Sequence, residues 1–180
     1  MPENDPKRER EVSIRKATEV DVPLLSVLAT VTFYEAYFEQ DDPHDLSNYL
    51  TENFSQEEIA KALDSPDSTF LIAFRGEQAV GYARLRDGDP HESVANKNAV
   101  ELQRIYLVER VWGKGVGEIL LEHCIAEAKR MGREVMWLGM WEENRRGLSF
   151  YAKHGFTRVG MLTFPYADSV GINTVMQIEI

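Results

Sequence analysis

Hydrophobic positions along the chain change period several times, and each change predicts an element. Val12-Ser13-Ile14-Arg15 alternates in steps of two and predicts a first strand. Thr18-Glu19-Val20-Asp21 then has the form of a capping box, while Pro23 suits a first helical turn and makes Asp21 the alternative cap. Leu24, Leu25, Leu28, Val31, Tyr34 or Glu35, and Phe38 follow at helical spacing and predict one inward face. Asp41-Asp42-Pro43-His44 breaks this helix. A second covers 46–53, and Ser55-Gln56-Glu57-Glu58 caps a third that ends near Asp64-Ser65-Pro66.

Strand-like runs come next, at 69–74 and 79–85, joined by the turn Arg75-Gly76-Glu77-Gln78. A polar loop over 87–98 leads into a long strand over 100–108. A glycine-rich turn at 113–117 opens a helix that faces inward through Ile119, Leu120, Cys124, Ala128 and Met131, and Gly132 closes it. Strands at 135–141, 156–163 and 174–180 enclose a helix over 144–154. Residues 1–11, with Pro2, Pro6 and mixed charge, read as a flexible tail, and 12–180 as one α/β domain, since the strands of both halves are needed for one sheet.

Composition narrows what such a domain does. The net charge is −10, and no Lys or Arg occurs from Ala17 to Ala60, a stretch that holds ten acids. Acid on this scale repels DNA and anionic membranes, so neither is expected as a partner. The single cysteine, Cys124, allows no intrachain disulfide. No apolar run approaches the roughly 18–20 residues of a membrane span, and the polar start lacks a signal-peptide core, so a cytoplasmic location is expected.

Strand, glycine-rich turn, helix is an arrangement that binds phosphate, because amides at a helix start point outward and the helix dipole favours an anion there. The turn here is Trp112-Gly113-Lys114-Gly115-Val116-Gly117, leading into Glu118. It has neither the P-loop nor the Rossmann spacing. On its own it is equally a structural strand-to-helix connection.

Two motifs together carry a resemblance. Ile105-Tyr106-Leu107-Val108 followed four residues later by Gly113-Lys114-Gly115-Val116-Gly117 resembles the acyl-CoA motif of the GNAT superfamily of N-acetyltransferases. The run from Asn144 through Phe150-Tyr151 to Gly155-Phe156 resembles that family's second motif. Glu101-Leu102-Gln103-Arg104-Ile105-Tyr106 and Trp137-Leu138-Gly139-Met140-Trp141-Glu142 are similar to the PaiA-type branch, whose namesake is a polyamine acetyltransferase. The resemblance implies a mixed central sheet of about six to seven strands, splayed between the central and following strand, with helices on both faces. It implies acetyl-CoA as co-substrate and no metal. Backbone groups of Ile105, Tyr106 and Leu107 would bond the pantetheine arm. Amides of Gly113, Lys114, Gly115, Val116, Gly117 and Glu118 would cradle the pyrophosphate. Asn144 and Lys153 would contact CoA, and Tyr151 would sit near its sulfur. Where the family usually has Gln or Arg, this chain has Trp112, which removes one side-chain contact.

Amine acetylation needs a neutral amine, a polarised carbonyl and a proton for the departing thiolate. Tyr151 is the candidate acid, its alternative being an aromatic of the helix packing face. Glu101, opening the central strand, is the candidate base, its alternative a solvated strand end. The stretch 17–60 corresponds to the acceptor wall of the family. Tyr34, Glu35 and Phe38 there suit a cationic amine, and the competing account is a solvated acidic helix face. The expected activity is acetyl transfer to the primary amine of a small cation such as a polyamine. A protein N-terminal or lysine acetyltransferase and a non-catalytic CoA sensor are the alternatives. Many relatives pair, so a homodimer is also expected. Asp87, Asp89, His91 and Glu92 read as a solvated turn rather than a metal loop.

Overall fold

In the computed structural model of the chain, residues 11–96, 98–166 and 169–180 are described. The expected tail therefore lies almost wholly outside the described residues. The elements are β1 (Val12–Lys16), a 3₁₀ turn (Glu19–Asp21), α1 (Val22–Tyr37), α2 (Pro43–Phe54), α3 (Gln56–Asp64), β2 (Ser68–Arg75), β3 (Gln78–Arg86) and β4 (Ala99–Leu107). A second 3₁₀ turn (Glu109–Val111) precedes α4 (Val116–Arg130), β5 (Val135–Trp141), α5 (Arg145–Lys153), β6 (Thr157–Tyr166) and β7 (Ser169–Glu179). The seven strands form one mixed sheet in the order β1-β2-β3-β4-β5-β7-β6. β4 and β5 run parallel, in register from Ala99↔Val135 to Glu101↔Trp137, the N-terminal ends of both strands. By compactness the chain divides into residues up to Arg84 with Arg104–Cys124, and Leu85–Gln103 with Ile125–Ile180. Among the described residues no helix is long and apolar enough to cross a membrane.

In the first unit, α1, α2 and α3 close over β2 and β3 on a core that includes Leu25, Leu28, Phe33, Leu46, Phe54, Ile59, Phe70, Ile72 and Tyr82. Phe33 is its hub, with ring centroids 4.4 Å from Tyr37, 4.7 Å from Tyr49, 5.4 Å from Phe54 and 5.8 Å from Tyr106. Each fully buried ring of this kind contributes roughly 1.5–3 kcal/mol by leaving water. The inward face of α1 differs from the expected one. Leu25, Leu28, Ala29, Thr32 and Phe33 are buried, whereas Val31, Tyr34 and Phe38 are exposed. The helix carries two apolar stripes, and periodicity alone does not say which one meets the core. The acidic break after α1 is also a restart: Asp42 caps α2 by accepting from His44 N at 2.8 Å, so this helix begins three residues before the predicted start.

In the second unit, Val94, Ala99, Val135, Trp137 and Val175 form a separate core. β6 and β7 make a longer hairpin than the pattern suggests, paired from Thr157↔Gln177 out to Tyr166↔Ser169. The polar and glycine residues near its tip hid the alternation. The 87–98 loop is more built than a solvated turn. Val94 is buried, the His91 ring lies 2.8 Å from Ser93 Oγ, and Ser93 sits in the space that Gly160 leaves. Cys124 is fully buried, the ordinary core thiol expected of its helix face.

The first strand is tied to α1 by charge. Thr18 and Asp21 form the capping box, with Thr18 N donating to Asp21 Oδ2 at 2.8 Å, and Asp21 makes no side-chain cap bond to α1 itself. Arg15 adds a two-point pair to the same carboxylate, at 2.8 and 2.7 Å. That guanidinium holds the buried Asp21 carboxyl down to about 2. A carboxyl depressed in the folded state stabilises above its unfolded pKa, and the contribution fades as pH falls through the folded one. Asp21→Asn is therefore expected to cost about 1–2 kcal/mol at pH 7, less than the whole shift implies because Arg15 is half-exposed and screened. Denaturant melts of both proteins should show this gap closing between about pH 4 and pH 2.

Candidate active site

The expected cofactor residues fall into two sets, one in each unit. The first unit holds the end of β4 and the turn that follows. Tyr106 turns its ring into the core, between Phe33 and Tyr82, with centroids at 5.8 and 6.2 Å. Burial pushes its hydroxyl well above the usual phenol range, and Tyr37, to which it is hydrogen-bonded, pushes it further. Any contact from Tyr106 to a ligand is therefore a backbone contact. β3 approaches this strand closely. A Cβ on Gly81 would lie 2.4 Å from Tyr106 O, and Val108 N donates to Val80 O at 2.9 Å.

After β4 the chain makes a 3₁₀ turn, with Trp112 N donating to Glu109 O at 2.9 Å. The Trp112 indole then reaches back, and its Nε1–H donates to Leu107 O at 2.8 Å. The departure from the family pattern at this position thus has a structural use, because it ties the glycine turn to the last residue of β4. It also takes one lone pair of a carbonyl expected to serve the pantetheine arm, leaving the second for another donor.

Gly113 and Gly115 have φ of +70° and +81°. An added Cβ would meet nothing within 4 Å at either position, so conformation and not crowding demands glycine. Lys114 N donates to Val111 O at 3.3 Å, which removes one amide from those expected at the pyrophosphate. α4 starts at Val116, and Ile119 N is already bonded to Gly115 O at 3.2 Å. The amides of Val116, Gly117 and Glu118 are in the first turn, where no intrahelical acceptor exists for them. With exposed Lys114 beside them, these groups suit a pyrophosphate.

Glu35 reaches the same turn: its Oε2 accepts from Glu109 N at 2.8 Å. One oxygen of the carboxylate expected to face the acceptor thus also satisfies a backbone amide 74 residues away. Tyr34 and Phe38 are both about half-exposed and stack on each other, with centroids 5.7 Å apart and planes 15° apart. The structure thus stacks Tyr34 on Phe38 and ties Glu35 to the turn after β4.

The second unit holds Asn144, Tyr151, Lys153 and Glu101. Asn144 caps α5, its Oδ1 accepting from Gly147 N at 2.9 Å. A Cβ on Gly147 would lie 2.4 Å from Met140 Sδ, so glycine lets this cap close against β5. Tyr151, two turns on, is buried and stands edge-on to Phe150 and Phe156, both at 5.2 Å. Lys153 is exposed at the end of the helix. Glu101 is mostly buried, and its Oε2 accepts from Arg86 Nε at 2.7 Å and Nη2 at 2.6 Å. Sequence reasoning did not single out Arg86, because residues 15 apart become neighbours only when β3 and β4 pair. Among the described residues no group of three His, Cys, Asp or Glu could hold a metal ion.

Comparison with known proteins agrees with this architecture. The sequence model of the acetyltransferase (GNAT) family matches residues 29–156. An uncharacterised N-acetyltransferase of Mycobacterium tuberculosis is 32% identical over 144 residues, 80% of this chain and 88% of the relative. A spermidine N(1)-acetyltransferase of Thermoplasma acidophilum is 28% identical over 149 residues, 81% of this chain and 88% of that protein. Among solved structures, a PaiA N-acetyltransferase from Thermoplasma acidophilum in complex with coenzyme A superposes with a TM-score of 0.77 at 24% identity, over 94% of this chain and 99% of that one. The seven-stranded mixed sheet, the glycine turn opening α4 and the family match together make this chain a member of the GNAT family of acetyltransferases.

Proposed function

We propose that the protein transfers the acetyl group of acetyl-CoA to the primary amine of a small cationic acceptor such as a polyamine, by direct attack in a ternary complex. The observation that carries the donor half is the turn after β4. Positive φ at Gly113 and Gly115 turns the chain so that α4 opens with unbonded-in-helix amides beside Lys114. The acceptor half is supported by the similarity to a spermidine acetyltransferase and by the Tyr34–Phe38 stack, followed in the sequence by Glu39, Asp41 and Asp42 in a stretch free of Lys and Arg. Aromatic faces and nearby carboxylates attract an ammonium and raise its local concentration.

Acetyl-CoA, when bound, supplies an activated thioester. The chain's own contribution is positional and protonic. Backbone groups of Ile105, Tyr106 and Leu107 orient the pantetheine arm, and amides of Gly113, Gly115, Val116, Gly117 and Glu118 hold the pyrophosphate, with Lys114, Asn144 and Lys153 as further contacts. The Tyr151 hydroxyl holds the proton for the departing thiolate, and its edge contacts with Phe150 and Phe156 fix the ring for that task. Glu101, bonded to Arg86, receives the amine's proton directly or through water. Cys124 takes no part, since it is buried and no covalent enzyme intermediate is required.

A thiol-release assay with acetyl-CoA and a panel of spermidine, spermine, putrescine, lysine peptides and N-terminal peptides tests the reading. Spermidine or spermine should give the highest kcat/KM. Release by peptides alone would replace the small amine with a protein acceptor, and no release from any amine would refute the transfer. Tyr151→Phe is expected to lower kcat about 10²-fold, with acetyl-CoA binding by calorimetry unchanged. An unaltered kcat would remove the acid role. Glu101→Gln should lower kcat most at low pH, where less amine is already neutral, and a loss equal across pH 6–9 would assign Glu101 to structure alone.

A further inference from the structure

The outer side of α1 is as apolar as the side that meets the core. Val27, Val31, Tyr34 and Phe38 recur in steps of four, three and four, and they are 60%, 39%, 52% and 49% exposed. At 3.6 residues per turn they fall on one line, across the helix from the buried Leu25, Leu28, Ala29, Thr32 and Phe33. Half-buried Leu24, and Val20 in the turn before the helix, extend that line backwards by further steps of three and four. Val20 is 85% exposed. A surface helix ordinarily turns a polar side to water, and a helix that is apolar all round is one that something covers. Glu35 is the one charged residue in Val22–Tyr37, and its carboxylate is bonded to Glu109 N.

The order of these side chains favours a second copy of the chain as the cover. Strict steps of three and four are the seam of helix-on-helix packing. The steps read the same in both directions, so an antiparallel copy, related by a two-fold axis at the level of Ala29, meets the line position for position. Val20 then faces Phe38, Leu24 faces Tyr34, and Val27 faces Val31. Rings stand against smaller aliphatic side chains at both ends, the large-against-small fit that fills a helix interface. One surface serves both chains, as a two-fold contact requires. Charge points the same way. Two chains of net charge −10 repel wherever their acids meet, and the six positions of this line carry no charge at all. An anionic partner would find no Lys or Arg anywhere between Ala17 and Ala60, and a cationic one would be drawn to the acids rather than to this line. Residues 1–10 contain one large apolar side chain, Met1, and so have little to bury on it.

We propose that this stripe is the contact of a two-fold dimer, with α1 packed antiparallel on the α1 of a second copy. Tyr34 and Phe38 are also rings of the proposed acceptor wall, so the pairing brings each acceptor site to the subunit contact. It does not depend on acetyl transfer, and its test uses no acetyl-CoA. Sedimentation equilibrium of the full chain should show monomer and dimer in exchange, with a dissociation constant of about 10 μM. Raising sodium chloride from about 0.05 to about 0.5 M should tighten the dimer, because salt screens the repulsion of two acidic chains and leaves an apolar contact intact. Val27→Glu and Val31→Glu should each weaken association at least about tenfold. Met161→Glu, at an exposed apolar position of β6, should not. Should a glutamate variant fail to fold, an equimolar mixture of Val27→Cys and Val31→Cys chains, whose own Cys124 is buried, should form a disulfide dimer faster than either chain alone. A monomer at every concentration and salt, a dimer lost in Met161→Glu but kept in Val27→Glu, or faster oxidation of either cysteine chain alone would overturn the pairing. Binding of a monomeric chain to phosphatidylcholine vesicles, abolished by Val27→Glu, would overturn it too and give the stripe to a lipid surface.

Discussion

A chain that leaves a strand and opens a helix pointing its first amides outward must secure that turn without using those amides. Here the indole of Trp112 provides the fastening, through its bond to Leu107 O. The 3₁₀ turn of Glu109–Val111 is stiffened from the other side by Glu35, whose carboxylate accepts from Glu109 N. Two side chains therefore satisfy backbone groups just ahead of the glycines, and Gly113 and Gly115 supply the positive φ that brings α4 to its starting point. The turn is thus fastened by side chains rather than by the amides at the head of α4. Removing either fastening would loosen the geometry while leaving every glycine in place.

The acidic stretch has a comparable division of labour. Of its ten acids, Asp21 closes a capping box and pairs with Arg15, Glu35 holds the turn, Asp42 caps α2, and Glu57 and Glu58 share Lys61. At least half of these acids thus have a local structural partner. The long-range field that favours cations is unaffected, since it depends on net charge, but the number of carboxylates available to touch an acceptor is smaller than the composition suggests.

What the sequence made legible, and what it hid, follow from the range of the interactions. Elements whose signals are local were read closely: β5 has its expected bounds, Ser55 caps α3, and Gly76 and Gly132 adopt the left-handed conformations of turn and helix end. The glycine turn was legible for the same reason, because a positive-φ turn into a helix is written in adjacent residues, Gly113 and Gly115. Partners far apart in the chain were not. Nothing near Trp112 announces Leu107 O, nothing near Glu35 announces Glu109, and Arg86 meets Glu101 only once β3 lies beside β4. The expected face of α1 holds for Leu25 and Leu28 and fails at Val31, Tyr34 and Phe38, because both stripes are apolar and only the aromatic core around Phe33 decides between them.

The ends of the sheet carry a last consequence. β1 at one edge is only five residues long, and β6 at the other has an irregular register between Arg158 and Gly160 and carries Pro165 near its tip. A proline offers no amide to a neighbouring strand, and a bulge bends the row of groups that another strand would need. The sheet is thereby guarded against growing sideways into fibrils, a hazard that seven strands with open borders would otherwise present.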